Sequence, residues 1–402
     1  MTAPQTCRDS KNLRRQAKRI AKAKSGVVLA GYLVKAKISE EFQSLGPSLV
    51  LESFERYGLR STGRTLFLNS FENRVVEIEL EPSDNFKESA QTNLWQNHRV
   101  LKYYRPHRWS LEQILEEHEF ILECLENEIP VAAPLQVDGK PAQLKNVQEH
   151  LRSLRANLSG KMQSQVETVT VSDHAEKSLS QSKTIGMWGP EKYFGLCPKV
   201  GGRHSEDLDS SQLRWLGRSM ARLHGVGRLH DFEYRPEFNI DHWVGASAEL
   251  LLEGGWVDPQ VEERFEEACE YLYDKCLGIE DLPYQRIHGD AHRGNVLWNE
   301  VGPLWVDFDD CILGPVVQDI WLFQTTDDIN NDPSLQEILE GYNQLGEFPA
   351  DQLQWIALLR KLRQVYYAAW IARRYNDSAF QKSFAYIKEP RYWFDLVSDL
   401  ES

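Results

Sequence analysis

The residues best suited to chemistry lie between Arg286 and Asp319, in the string RIHGDAHRGNVLWNEVGPLWVDFDDCILGPVVQD. Asp290 stands five residues before Asn295, and Asp307 follows Asp290 by seventeen, directly after the apolar run Leu304-Trp305-Val306. One carboxylate able to accept a hydroxyl proton, with an amide and a second carboxylate as hard oxygen donors for a divalent cation, is the inventory that phosphoryl transfer requires. That reaction needs an acceptor hydroxyl in line with phosphorus and cations that neutralise the phosphate oxygens. His288-Gly289-Asp290 alone is a weak indication, because His and Asp also pair by hydrogen bonds inside cores; the whole spaced set is a strong one. His288 and His292 can orient the loop through hydrogen bonds, but they suit Mg2+ poorly as ligands.

The chain carrying this set has 402 residues, which suggests two or three structural units at roughly 100–200 residues each. Hydrophobic content of 41% and charged content of 26% allow a sizeable core and exclude a wholly disordered, collagenous or disulfide-scaffold protein. The apolar run Val27 to Val34 is far shorter than the ~20 residues of a spanning helix, so no membrane insertion is expected. Net charge is −14, but residues 1–40 hold ten Lys and Arg against Asp9 and Glu40, a net +8 that leaves −22 for the rest. So acidic a body argues against nucleic-acid binding. A polyphosphate would have to be held by a few local cations and metal ions. The six cysteines show neither a CxxC pair nor zinc-ligand spacing, which suits a reducing compartment.

The elements that must position these groups follow from pattern. Residues 1–40 form a basic extension, read as a solvated tail; an organellar targeting segment is the sharper alternative, since such segments are Arg-rich and acidic-poor. Pro47–Tyr57 is expected as a short helix, and Thr65–Leu80 as two strands around the turn Asn69–Asn73. The polar stretch Glu81–Asn97 is a loop and His98–Tyr104 a strand. Ser110 caps a helix to Leu125, with Gln113 completing a capping box. Residues 144–188 read as a Ser-rich insertion, helical over Val147–Leu158 and otherwise mobile, with seven serines between Ser153 and Ser182. Tyr193–Cys197 is a buried strand, and helices are expected over Ser211–His224, Pro259–Leu277, Ser334–Leu345 and Asp351–Tyr375. The expected organisation is the extension (1–40), a sheet-bearing lobe with the insertion (41–197) and a helical lobe carrying the catalytic loop (198–402).

Asp-x4-Asn is also the spacing of a kinase catalytic loop. HGDxHxGNxLW followed by VDFDD resembles the aminoglycoside phosphotransferase/choline kinase branch of the kinase superfamily, which carries HGD where protein kinases carry HRD. The fold this implies is α+β and protein-kinase-like: two lobes, a small antiparallel N-lobe sheet with one key helix, and a mainly helical C-lobe. Within that branch, several blocks are similar to the bacterial stress response kinase A family. They include the turn through Asn73-Arg74-Val75, Leu101–Pro106 with Arg108-Trp109, Gln113–His118, Val131–Pro134, Val200–Arg203, HGDAHRGNVLW, Gly314-Pro315, and Val365–Tyr367 with Trp370 and Arg373-Arg374. They span about Ser61 to Phe394. The resemblance implies a monomeric, cytoplasmic, ATP- and Mg2+-dependent Ser/Thr protein kinase tied to envelope and oxidative stress.

By that resemblance Asp290 is the proton acceptor, and Asn295 and Asp307 hold Mg2+, with Asp307 counted as a second catalytic residue. Ser70 falls at the ATP-site position of the β-turn. That turn has no glycine, so the usual backbone cradle is not available; side chains such as Ser70 and Asn73 are expected to take part of its role, with a plain hairpin turn as the alternative. Lys102 is the strand lysine expected on the nucleotide phosphates. Its helix partner is Glu116 or Glu117; Glu117 is chosen because Ile114, Phe120 and Ile121 flank it, whereas the neighbours of Glu116 (Glu112, Gln113, Glu119, Phe120 and Glu123) are expected to be mostly solvated. Asp309 stands where protein kinases have the Gly of DFG, and Asp310 and Asp319 are read as structural. Arg373 and Arg374 could attract an acidic substrate surface. A small-molecule hydroxyl kinase of the aminoglycoside, choline or homoserine type uses the same Asp290, Asn295 and Asp307, so these residues do not choose the acceptor. A nucleotide-binding adaptor without activity is disfavoured because all three are present.

Overall fold

The structure, a computed structural model, describes residues 45–68, 70–82, 97–161, 184–205, 207–326, 328 and 331–402. The basic extension at 1–40, Asn69, residues 83–96 of the hairpin loop and residues 162–183 of the Ser-rich segment lie outside the described residues.

The N-terminal lobe is built on strands β1 (Ser61–Leu68), β2 (Arg74–Leu80), β3 (His98–Tyr103), β4 (Ile185–Gly189) and β5 (Lys192–Pro198), paired antiparallel in the order β1-β2-β3-β5-β4. Helix α1 (Pro47–Glu55) covers one face, with Val50 and Phe54 packed against Val76, Ile78, Leu101, Tyr103, Phe194 and Leu196. Because strand side chains alternate between faces, burying Leu101 and Tyr103 under α1 sends Lys102 to the opposite side. There it meets helix α2 (Leu111–Glu126), whose start carries the expected box: Gln113 N donates to Ser110 Oγ, and Ser110 N donates to Gln113 Oε1. Such a box satisfies two otherwise orphaned amides.

The ends of the 144–188 segment belong to the lobe itself. Helix α3 (Leu144–Lys161) buries Val147 and Leu151 in the main core, and Ile185 and Trp188 are buried on β4. The pattern was missed because β4 pairs with β5 through a register shift between Met187 and Gly189, which breaks strict alternation.

The C-terminal lobe contains α4 (Ser210–Gly227), α5 (Ala246–Glu253), α6 (Glu262–Cys276), α7 (Val317–Ile320), α8 (Pro333–Tyr342), α9 (Ile356–Arg374), α10 (Ser378–Ser383) and α11 (Pro390–Glu401). The long helix expected over Asp351–Tyr375 divides into a 3-10 stretch, Ala350–Trp355, and α9. Helices α4 and α8 cross with their backbones touching: a Cβ on Gly217 would stand 2.0 Å from the Ile338 carbonyl oxygen. Two short antiparallel ladders frame the chemical segment, β6 (Gln285–Ile287) with β9 (Ile312–Gly314), and β7 (Val296–Asn299) with β8 (Gly302–Trp305). Among the described residues no helix is long and apolar enough to cross a membrane.

Candidate active site

Lys102 lies at the meeting point of three carboxylates. Its Nζ is 2.9 Å from Glu117 Oε1, 3.0 Å from Asp309 Oδ1 and 3.2 Å from Asp307 Oδ1. Burial alone would lower its pKa, but Asp309, Glu117 and Asp307 outweigh that and raise it well above the ordinary lysine value. The other Glu117 oxygen accepts from Arg235 Nη2 at 2.7 Å. The expected solvation of the Glu116 side of α2 is overturned. Glu116 is buried and its carboxylate accepts the backbone N–H groups of Glu233, Tyr234 and Arg235 at 2.6–2.9 Å. It therefore ties a C-lobe loop to α2. Of its polar helical neighbours Glu119 and Glu123 are buried too, Glu123 with Arg286 Nη2 2.7 Å from Oε2 and His230 Nε2 2.6 Å from Oε1, while Glu112 and Gln113 are half-buried.

The loop that follows β6 turns at Gly289, at φ +80°; a Cβ there would stand 2.1 Å from the Asp310 carbonyl oxygen, so only glycine fits. Asp319, fully buried on α7, accepts the N–H groups of His288 and Gly289, both at 2.8 Å, and lies 3.1 Å from His224 Nε2. His288 Nε2 donates to the Val306 carbonyl at 3.0 Å, and Asp290 N lies 3.4 Å from His288 Nδ1. Asn295 Nδ2 donates to the Asp290 carbonyl at 2.9 Å and to Asp290 Oδ2 at 3.3 Å, which leaves Oδ1 as the amide's acceptor oxygen. On the other side of the carboxylate, Arg363 Nη2 on α9 donates to Asp290 Oδ1 at 2.6 Å. Burial would raise the Asp290 pKa, yet His292 and Arg363 hold it well below the ordinary carboxylate range.

Asp307, two residues beyond the end of β8, is in the left-handed region, φ 60° and ψ 64°, a conformation Asp tolerates better than most residues. Its side chain is 52% exposed and reaches toward Lys102. Asp309, buried, and Asp310 both pair with Arg108. The position that would be the glycine of DFG is thus a fixed ion-pair anchor.

The β1–β2 turn is held from far away. Ser70 Oγ donates to the Asn73 carbonyl at 3.0 Å, and buried Asn73 accepts Arg105 N at Oδ1, 3.2 Å. These two side chains therefore make contacts that shape the turn. Glu72 sits among Arg374 Nε (2.7 Å), Trp370 Nε1 (2.9 Å), Arg105 Nε (3.3 Å) and Arg108 Nε (3.6 Å). Burial would raise its pKa, but Arg108, Arg374 and Arg105 bring it down to about 2. Phe71 packs on Phe384 and Phe380 at ring distances of 5.0 and 5.9 Å. Arg374 is consequently committed to this turn rather than to an external acidic surface.

The structure therefore brings Lys102, Glu117 and Asp307 into one network and joins Asn295 to Asp290; Ser70 and Asn73 lie in the turn. Sequence reasoning assigned no role to Glu72, Arg108, Arg235 and Arg363; Glu72 and Arg108 lie inside the family-like blocks, whereas Arg235 and Arg363 carry no local motif. The donor set suits a hard divalent cation, which takes oxygen ligands: an exposed carboxylate at Asp307 and the amide oxygen of Asn295. The Cys197 thiol lies within electrostatic reach of Asp307, but burial above all pushes it up to about 12, so it stays protonated and is no competing ligand. Glu119, Glu123 and His230 also converge, but Arg286 already occupies that group with its own positive charge.

The sequence profile described as the phosphotransferase enzyme family matches residues 69–359. Stress response kinase A of Escherichia coli (strain K12) is 31% identical over 354 residues, covering 88% of this chain and 90% of that protein. The serine/threonine protein kinase RdoA of Salmonella typhimurium is 30% identical over 355 residues with the same coverage. Among solved structures, an amicoumacin kinase complex (TM-score 0.57, 18% identity, 87% of this chain and 93% of that one) and a microcompartment-associated aminopropanol kinase (0.53, 17%, 88% and 96%) share the fold. The chain belongs to the phosphotransferase enzyme family and, within it, to the stress response kinase A group.

Proposed function

We propose that the protein transfers the γ-phosphoryl group of ATP to Ser or Thr hydroxyls of proteins, with Mg2+ held by Asn295 and Asp307, and that it serves in stress protection as its named relatives do. The observation that carries this reading is the convergence of Lys102 on Glu117 and Asp307, within 3.2 Å, beside the Asp290–Asn295 pair, to which it is joined by the bond from Val306 N to the Asn295 carbonyl at 3.0 Å. A strand lysine fixed by a helix glutamate presents a point charge to nucleotide phosphates. Charge balance supports a metal. Lys102, Arg105, Arg108, Arg235, Arg363 and Arg374 are each already paired with a carboxylate among Glu72, Glu117, Asp290, Asp307, Asp309, Asp310 and Asp377. Cations already committed to carboxylates have little charge left over with which to neutralise a polyphosphate.

A bound divalent ion supplies that neutralisation of the phosphate oxygens. The chain's own residues do the rest. Asp290 receives and orients the acceptor hydroxyl. Its depressed basicity is compatible with a loose transition state, in which little negative charge must build on the attacking oxygen before bond formation. Gly289, His288 and Asp319 fix the loop, and Ser70 contributes from the turn above the nucleotide.

The acceptor class is tested by incubating the full chain with γ-labelled ATP, a lysate of dephosphorylated proteins and a panel of small alcohols including aminoglycosides, choline and homoserine. Label on protein Ser or Thr is expected. Exclusive labelling of one small molecule would contradict the acceptor class while retaining the phosphotransfer chemistry.

A further inference from the structure

Asp290 is gripped from both sides, and one grip comes from outside the catalytic loop. Oδ2 faces Asn295 Nδ2 at 3.3 Å and His292 Nε2 at 3.4 Å, both from the loop itself. Oδ1 faces Arg363, 73 residues further along the chain on α9. The terminal torsion of an aspartate is broad and roughly two-fold. Contacts on Oδ2 alone therefore leave the carboxylate free to swing, whereas a guanidinium on Oδ1 sets its plane. Each carboxylate oxygen has two lone-pair directions, so Arg363 occupies one at Oδ1 and leaves another for an acceptor O–H.

The pair differs from an ordinary surface ion pair, which contributes little. It is short, and the two side chains are 30% and 22% exposed. Helix α9 is itself anchored at both ends of its inner face: Leu359, Leu362 and Val365 are fully buried, and Trp370 and Arg374 grip Glu72. The other charged groups facing Asp290 are His292 on its loop and Asp310 beyond β8.

We propose that Arg363 is a positioning residue for phosphoryl transfer: it fixes the Asp290 carboxylate so that one oxygen stays aimed at the acceptor hydroxyl. This rests on the reading of Asp290 as the group that receives that hydroxyl. A misplacement of about 1 Å at a reacting group can cost on the order of 100-fold in rate, which sets the size of the effect.

The test is a double-mutant cycle in the full chain with Arg363→Met, Arg363→Lys, Asp290→Asn and the double variant Arg363→Met/Asp290→Asn. Transfer is followed to whichever acceptor the wild type labels, or to water as ATP hydrolysis if it labels none. Binding of a fluorescent ATP analogue with Mg2+ and the thermal midpoint are measured alongside. Arg363→Met is expected to lower kcat by roughly 10–100-fold, to leave nucleotide Kd within about 3-fold, and to be partly rescued by Lys. The double variant should be no slower than Asp290→Asn alone, because the arginine acts through the carboxylate. Wild-type kcat in Arg363→Met overturns the proposal, as does a double variant slower than Asp290→Asn by the full Arg363→Met factor. Should Arg363→Met fail to fold, Arg363→Gln and Arg363→Lys complete the same cycle. Label on a small molecule would refute the protein-acceptor reading alone, since the cycle is then read on that molecule.

Discussion

The His288–Asn295 loop and the β1–β2 turn lie on different lobes, and they are held in different ways. The loop is secured mainly by residues of its own string: Asp319 accepts the amides of His288 and Gly289, His288 reaches Val306, and Asn295 returns to Asp290. The turn has no glycine, and among its described residues the side-chain bond internal to it is the Ser70–Asn73 contact. Its Glu72 is held by Arg105 and Arg108 of its own lobe and by Trp370 and Arg374 some three hundred residues downstream, and Phe71 packs on Phe380 and Phe384. A flexible backbone cradle has been replaced by a turn clamped to the C-terminal helices. Rigidity there is a tertiary property, whereas in the loop it is largely local.

Variants on the two sides should separate these cases. The largest effect is expected at Asp319. Asp319→Ala strips two buried amides and His224 of their acceptor and should cost about 3–5 kcal/mol, seen as a lower Tm, with turnover falling at least about 100-fold. Wild-type Tm and turnover in this variant would refute the anchoring role. Glu72→Ala removes the common carboxylate of three guanidinium groups and should cost about 2–3 kcal/mol. Because it loosens the turn rather than the loop, KM for ATP should rise more than kcat falls; an unchanged KM with a large kcat loss would erase the contrast.

The smallest effect is a pH dependence of that same variant. Glu72 is held at about 2 in the folded chain against an ordinary value of 4.5. Its stabilising contribution is therefore complete above about pH 4.5 and fades as pH falls toward 2. The Tm gap between wild type and Glu72→Ala should stay constant from pH 8 to 5 and narrow below about 4.5. A gap that widens in acid has the wrong sign for this ion cluster.

The same contrast explains what could be read before the structure. The Ser110–Gln113 box, the alternation that turns Lys102 away from Leu101 and Tyr103, and the Asp290, Asn295 and Asp307 spacing are local patterns, and they were legible. Glu117 was distinguishable from Glu116 by its flanking apolar residues. The burial of Glu116, Glu119 and Glu123 was not, because the groups that compensate them come from residues 230–235 and Arg286. Arg363 was equally hidden, since one arginine among several on an amphipathic helix carries no mark of its partner. Helix α11 was legible but overlooked: Pro390 stands in its first turn, and Trp393, Leu396, Val397 and Leu400 follow at helical spacing.

The central claim is that Asp290 handles the acceptor while the rest of the cleft holds the metal–nucleotide complex. Its most direct test is Asp290→Asn in the full chain, with phosphoryl transfer and ATP·Mg2+ affinity measured on the same preparation. Transfer slower by about 100-fold or more, with affinity within a few-fold of wild type, is the predicted result. Transfer at the wild-type rate, or loss of nucleotide affinity in proportion to the loss of rate, would contradict it.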